Sequence, residues 1–316
     1  MTFLASLQAQ AIIVGMVLVP LILIAGVLVL WKHFVRNRNR RSPLTTDLLR
    51  TPGFGLQEQI DALNDDITVY LMATTWVPLM LFGTYQLPTQ NTQTLSPPTN
   101  GILLAAAALV LLVFLTVRLI RKVDLCQRYR EALAGELATA QLLEPIIAGG
   151  GRVLHDIQAP GFNIDHVVVA PGGVFAVETK HRLKSTQGKG KEQAKVTFDG
   201  QALRFPDWTE TKPAEQARAQ ARWLSERLTK STGLEVKARP VIALPGWFVE
   251  NTNRSDVIAT NPKACQFMLK ARADEASLTP DAIKRISFQV EQLCRMPEPG
   301  QATELAAKGW KDRRAG

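Results

Sequence analysis

Residues 162–181 read FNIDHVVVAPGGVFAVETKH. β-Branched and apolar residues flank Pro171-Gly172-Gly173, and that tripeptide supplies turn conformations that β-branched residues resist, so the stretch predicts a β-hairpin with strands over 163–170 and 174–180. Asp165 lies on the first strand and Glu178 on the second, with twelve residues between them. Both sit about equally far from the turn, so antiparallel pairing sets them side by side. Side chains alternate along a strand, which puts Glu178 and Lys180 on one face. Two carboxylates and an ammonium thus converge at one end of a hairpin whose other positions, Ile164, Val167, Val168, Val169, Val174, Phe175, Ala176 and Val177, are apolar.

Elements on either side of the hairpin complete a domain. Upstream, 124–147 carries Leu125, Tyr129, Leu133, Leu137 and Leu142 at helical spacing and is stopped by Gly149-Gly150-Gly151. Residues 152–157 (RVLHDI) predict a strand, as does KVTFDG at 195–200 after a Gly/Lys-rich loop. A helix follows over 213–230 with Pro213 in its first turn. Strands over 236–244 and 256–261 and a closing helix over 277–294, entered at Thr279-Pro280, finish the order. That order predicts an α/β domain over 123–316, a mixed central sheet flanked by helices. Its three cysteines, Cys126, Cys265 and Cys294, are widely spaced and odd in number, which suits a reducing compartment better than a disulfide framework.

The first 122 residues are of another kind, although the mean hydropathy of the whole chain is near zero. Residues 11–31, 67–85 and 101–120 are apolar runs, each predicted to span a bilayer. A cleaved signal peptide is the rival reading of the first run, but residues 1–10 contain no Lys or Arg. Residues 32–66 hold Lys32, Arg36, Arg38, Arg40, Arg41 and Arg50, residues 86–100 hold no Lys or Arg, and Arg121, Lys122, Arg128 and Arg130 follow the third run. The positive-inside rule then predicts a multi-pass protein of a bacterial inner (plasma) membrane, N-terminus outside and C-terminal domain cytoplasmic. The basic stretch after the first run reads as a topology signal lying against anionic lipid. The spans have almost no intramembrane charge, which argues against a transporter or channel.

Two carboxylates, the Thr179 carbonyl and waters are hard oxygen donors suited to Mg²⁺ or Mn²⁺. Such an ion polarises a phosphate and activates a water, and Lys180 would position that water and stabilise charge on the phosphate. Asp165, Glu178 and Lys180 in this pattern resemble the signature of the PD-(D/E)xK nuclease superfamily. GELATAQLLEPII, HDI and the hairpin run together resemble, over 129–246, the nuclease-related domain (NERD) family of that superfamily. The resemblance implies a restriction-endonuclease-like fold, Glu136 as an additional metal ligand, and Gln216 as a helical glutamine contacting site or substrate. Ile164 stands before Asp165, so the leading proline of the superfamily name is absent.

Beside such a site His181, Lys184, Lys189 and Lys191 are candidate phosphate contacts. His166 reads as a packed imidazole, His155-Asp156 as neighbours of the site strand, and Trp208, Trp223 and Trp247 as packing residues. A net charge of +9, from 37 Lys and Arg against 28 Asp and Glu, favours anionic partners. The expected function is a membrane-anchored, metal-dependent nuclease acting on DNA or on RNA, in DNA processing or defence against foreign DNA. Homodimerisation or a membrane partner protein would accompany it. The alternative is a non-catalytic nucleic-acid-binding or partner-docking module coupled to a membrane sensor, with Asp165, Glu178 and Lys180 as a structural ion-pair cluster.

Overall fold

The computed structural model describes residues 48–85, 97–184, 194–273 and 275–295, with residues 23, 26, 27, 29 and 30 besides. Its elements run α1 (Phe54–Tyr85), α2 (Pro97–Ala148), β1 (Arg152–Ala159), β2 (Phe162–Ala170), β3 (Gly173–Thr179), β4 (Lys195–Phe198), β5 (Leu203–Arg204) and β6 (Thr209–Glu210). Then come α3 (Lys212–Thr232), β7 (Ala238–Ala243), β8 (Phe248–Asn251), β9 (Ile258–Thr260), a 3₁₀ segment (Pro262–Leu269) and α4 (Pro280–Glu291). The chain divides into two compact units, one of Met1–Thr46 and Ala62–Cys126, the other of Asp47–Asp61 and Gln127–Gly316.

In the second unit a five-stranded sheet has the order β1-β2-β3-β7-β9. β1, β2 and β3 pair antiparallel, while β3–β7 and β7–β9 are parallel. The expected single mixed sheet is therefore incomplete: KVTF of β4 joins β5, β6 and β8 in a second, four-stranded sheet of order β6-β5-β4-β8. The β2–β3 turn closes at the Ala170–Gly173 pair. Gly172 donates its N–H to Met268 O at 2.9 Å, and a Cβ on Gly172 would collide with the backbone carbonyls of Met268 and Lys270. Gly173, at φ 128°, is in a region where side chains are strained. The glycines of the turn are thus required by a close approach as well as by the turn itself.

Alternation along the strands supplies both layers. Leu154, Val167, Val169, Val174 and Ala176 pack with Ala221, Leu224 and Leu228 of α3 and Ile283, Ile286 and Val290 of α4. Val168, Phe175 and Val177 pack with Leu143 and Ile146 of α2 and Cys265 and Met268 of the 3₁₀ segment. Helix α3 starts with Pro in its first turn and ends at Gly233 in the left-handed conformation, and α4 is capped by Thr279 Oγ1, which accepts from Ala282 N–H at 3.2 Å.

The expected three-span anchor is matched in one element. Among the described residues a single helix, over Gly101–Ala148, is long and apolar enough to cross a membrane. The expected span at 67–85 is helical as part of α1 but falls short of that measure. The one at 11–31 lies almost entirely outside the described residues. Arg50, counted with the Lys and Arg of 32–66 for the positive-inside rule, is buried in the second unit beside Asp156.

Candidate active site

The site forms at the end of the β2–β3 hairpin farthest from its turn. One step beyond the last hydrogen-bonded pair, His166–Val177, Asp165 of β2 stands opposite Glu178 of β3. Both are buried, at 7% and 4% exposure. Asp165 Oδ2 accepts the Thr179 backbone N–H at 2.7 Å. Lys180 Nζ donates to Glu178 Oε1 at 2.5 Å and to Gln216 Oε1 at 3.0 Å. Glu178's other oxygen, Oε2, accepts from Gln220 Nε2 at 2.5 Å, and Gln220 also donates to Asn163 O at 3.0 Å. Gln216 and Gln220 are one turn apart on α3, which places both on the face turned to the site. Glu136 projects from α2, buried at 6% exposure.

Three carboxylates share this pocket with Lys180, and their electrostatics follow. Burial, then the charges of Glu178 and Glu136, push the Asp165 carboxyl well above the usual range, against the Thr179 N–H and Lys180. Burial, then Asp156 and Glu178, raise Glu136 to about 7, opposed by the Gly53 N–H and Lys180. Glu136 Oε2, Thr179 Oγ1, His181 Nδ1 and Gln220 Oε1 are buried without a hydrogen-bond partner. Buried oxygens left unpaired beside crowded carboxylates are a donor set that a hard cation would satisfy. Among the described residues no group of three or more His, Cys, Asp or Glu forms a ready-made metal cage. Mg²⁺ does not require one, because it binds through one or two carboxylates and keeps several waters.

Gln220 is the residue the sequence reading missed. Its signal was the Gln-x3-Gln spacing, since the second glutamine of such a pair shares the face of the first. His181 packs against α2 at Gly135, where an added Cβ would meet its ring carbon at 3.1 Å. Lys184 lies over the Trp247 ring, 5.4 Å from its centroid, while Lys189 and Lys191 fall outside the described residues. Just past Lys180, Arg182 forms a two-pronged pair with Glu210 at 2.7 and 2.8 Å, and Trp247 Nε1 donates to Arg182 O at 3.0 Å. Trp208 stacks on Phe205 at 4.5 Å and Trp223 meets Phe162 edge-on at 5.7 Å, so these indoles pack. His166 is fully buried with its Nδ1 2.8 Å from that of His155, away from the carboxylates.

The raised Glu136 carboxyl carries a sign. A carboxyl whose folded pKa exceeds its unfolded one costs nothing below about 4.5 and its full penalty above about 7. Burial of neutral His155, lowered to about 4, acts oppositely, its penalty developing as pH falls from 6.5. A comparison of variants separates the two. Glu136→Gln should match wild type near pH 4 and exceed it by up to about 3 kcal/mol at pH 8 in EDTA, with the gap opening between pH 4.5 and 7. Urea unfolding at a series of pH values measures that gap.

An α/β domain with acidic and basic side chains converging at a hairpin end is compatible with a nuclease fold, and one comparison with known families points the same way. Residues 131–245 match the family model of NERD, the nuclease-related domain. Glu136, Asp165, Glu178, Lys180, Gln216 and Gln220 all fall inside that match. No curated protein and no solved structure matches the chain.

Proposed function

We propose that this chain is a metal-dependent phosphodiesterase that hydrolyses nucleic acid, DNA before RNA, from a membrane anchor. The carrying observation is the buried triad of Glu136, Asp165 and Glu178 against Lys180, inside a nuclease-related domain. A packing cluster gains nothing from crowding Glu136 and Asp165 beside Glu178, where burial and neighbouring charge raise both of their carboxyls, whereas such strain is common where chemistry is done.

Asp165, Glu178 and the Thr179 carbonyl would hold Mg²⁺ or Mn²⁺ with waters, and Glu136 would serve as an additional ligand through one of them. When bound, the ion supplies a polarised phosphate and an acidified water. The protein's own groups do the rest. Gln220 and Lys180 fix the two oxygens of Glu178, so its rotamer is set before substrate arrives. The Thr179 N–H fixes Asp165. Lys180 has three N–H donors, of which Glu178 and Gln216 take two. The third is available to a water or phosphate oxygen, where its charge opposes the negative charge that grows at phosphorus.

Membrane attachment rests on the exposed apolar surface of α2, where Ile102, Leu103, Val110 and Val113 have no protein cover. With the Lys/Arg pattern of the loops, it supports a domain on the cytoplasmic side of a bacterial inner membrane, where incoming DNA would be met.

The test uses the full chain in detergent or nanodiscs with plasmid, linear duplex, single-stranded DNA and RNA, in Mg²⁺, Mn²⁺ or EDTA. Cleavage that needs metal and is lost in Lys180→Ala is the expected result. Binding without cleavage in any metal, unchanged by Lys180→Ala, overturns the reading and leaves a nucleic-acid-binding module.

A further inference from the structure

The matched domain begins at residue 131, yet residues 48–61 pack with it in one compact unit. Arg50 Nη1 lies 2.8 Å from Asp156 Oδ2, with side chains 11% and 1% exposed. Its backbone N–H donates to Cys294 O at 2.7 Å, and Leu49 bridges to Arg295 in antiparallel fashion. The guanidinium also sits over the Phe54 ring, 4.9 Å from its centroid. A buried arginine held at side chain, backbone and ring is a built contact, unlike a solvated loop charge.

Two routes lead from this segment to the site. Asp156, in the left-handed region at φ 49°, also accepts from Asn163 Nδ2 at 2.8 Å through its second oxygen, Oδ1. The Asn163 carbonyl accepts from Gln220 Nε2, which holds Glu178. Arg50, Asp156, Asn163, Gln220 and Glu178 are therefore one continuous polar chain. The second route is shorter. Gly53, at φ 70°, lies against Glu136: a Cβ there would stand 3.6 Å from Glu136 Oε2 and collide with Leu133. Gly55 approaches Asp156 as closely, with a Cβ position 3.3 Å from Oδ1. The left-handed backbone and Leu133 call for glycine at position 53, and a Cβ at position 55 would be tight against Asp156.

We propose that residues 48–61 are a brace of the nuclease site, supplied from outside the matched domain, and that Arg50 is a positioning residue that fixes Glu178 through Asp156, Asn163 and Gln220. This rests on the phosphodiesterase reading for its kinetic consequence, but its structural consequence stands alone. Removing Arg50 leaves Asp156 buried without its cation. Asp156 then turns toward other donors or water, the Asn163 side chain loses its fixed partner, and the backbone at Asn163 that carries Gln220's acceptor is held less firmly. A supporting contact of this kind, acting through a ligand's neighbours, changes turnover more than substrate binding.

The experiment measures two things on the full chain in nanodiscs, for wild type, Arg50→Ala, Arg50→Lys, Asp156→Asn and Arg50→Ala/Asp156→Asn. The first is kcat and KM on the cleaved duplex. The second is hydrogen exchange of the peptide carrying Thr179, whose amide is bonded to Asp165. Arg50→Ala should lower kcat about ten- to a hundredfold with KM within about twofold, and raise exchange at Thr179 about tenfold. Arg50→Lys should recover most of both, and the double variant should fall short of the summed single effects. A fold-only role would leave kcat per active site unchanged and raise exchange at Thr179 by no more than at core amides remote from the site, such as Val168, and that result overturns the proposal. If Arg50→Ala fails to fold, Asp156→Asn and Arg50→Lys carry the same comparison. Should wild type not cleave, the phosphodiesterase reading fails while exchange at Thr179 still decides the brace.

Discussion

Asp165→Asn will abolish metal-dependent cleavage and leave the metal-free protein at least as stable as wild type. Asparagine keeps an oxygen for the Thr179 N–H, so the backbone bond that fixes this side chain survives. What it removes is a buried charge that burial, Glu178 and Glu136 all disfavour. In the absence of metal that charge only costs, and its loss should raise the thermal midpoint at pH 8 in EDTA, with a smaller effect as pH falls. In the presence of Mg²⁺ the same change deletes an anionic ligand, and turnover should drop by at least about a hundredfold. Differential scanning fluorimetry and a plasmid assay on one preparation read both effects. The opposite pair of results, a loss of about 3–5 kcal/mol with no change in cleavage, is what a structural ion-pair cluster would give. The two readings of Asp165, Glu178 and Lys180 therefore differ in the sign of one stability measurement.

A fragment of residues 121–316 should be markedly less stable than its length suggests. It keeps every residue of the candidate site but loses Arg50, Phe54 and the buried Ile60. Asp156, 1% exposed in the intact chain, is left without its cation, a loss of about 3–5 kcal/mol. At roughly 2–4 °C per kcal/mol for a domain of this size, the thermal midpoint should fall by about 10 °C. Asp156→Asn within the fragment should recover part of that, because it removes the stranded charge. Equal midpoints for the fragment and for the domain transition of the full chain would sink this prediction.

Much of the fold is written in short-range patterns. The hairpin was legible because alternation, register and a Pro-Gly-Gly turn all act within twenty residues, and the helix over 213–230 because Pro and Ala-rich spacing mark it locally. The second sheet was not, since β5 and β6 are two residues each and owe their existence to partners elsewhere. β8 is exposed except at Val249, which is half-buried against the second sheet's core, so it offers a single inward position and no alternation to read. The site divides the same way. Asp165, Glu178 and Lys180 converge through one local hairpin, and Glu136 and Gln216 entered only through resemblance. Gln220 and Arg50 depend on partners 42 and 106 positions away. Arg50 was also counted only as one of the Lys and Arg of residues 32–66, a tally for topology that concealed its buried partner. A charge pattern reports where a loop lies; it does not report which of its charges has a buried mate.

The strap formed by Leu49 and Arg50 has a consequence in time. Its backbone partners are Cys294 and Arg295, so it is locked only by residues added long after it. At roughly 5–20 residues per second, a ribosome needs tens of seconds to travel that interval. Throughout it the nascent chain already carries, or is gaining, the acids and the lysine of the proposed nuclease site, within reach of the messenger being read. If the site cuts nucleic acid as proposed, tying this fastening to residues 294 and 295 would make synthesis itself the safety catch: a site assembled early and braced late.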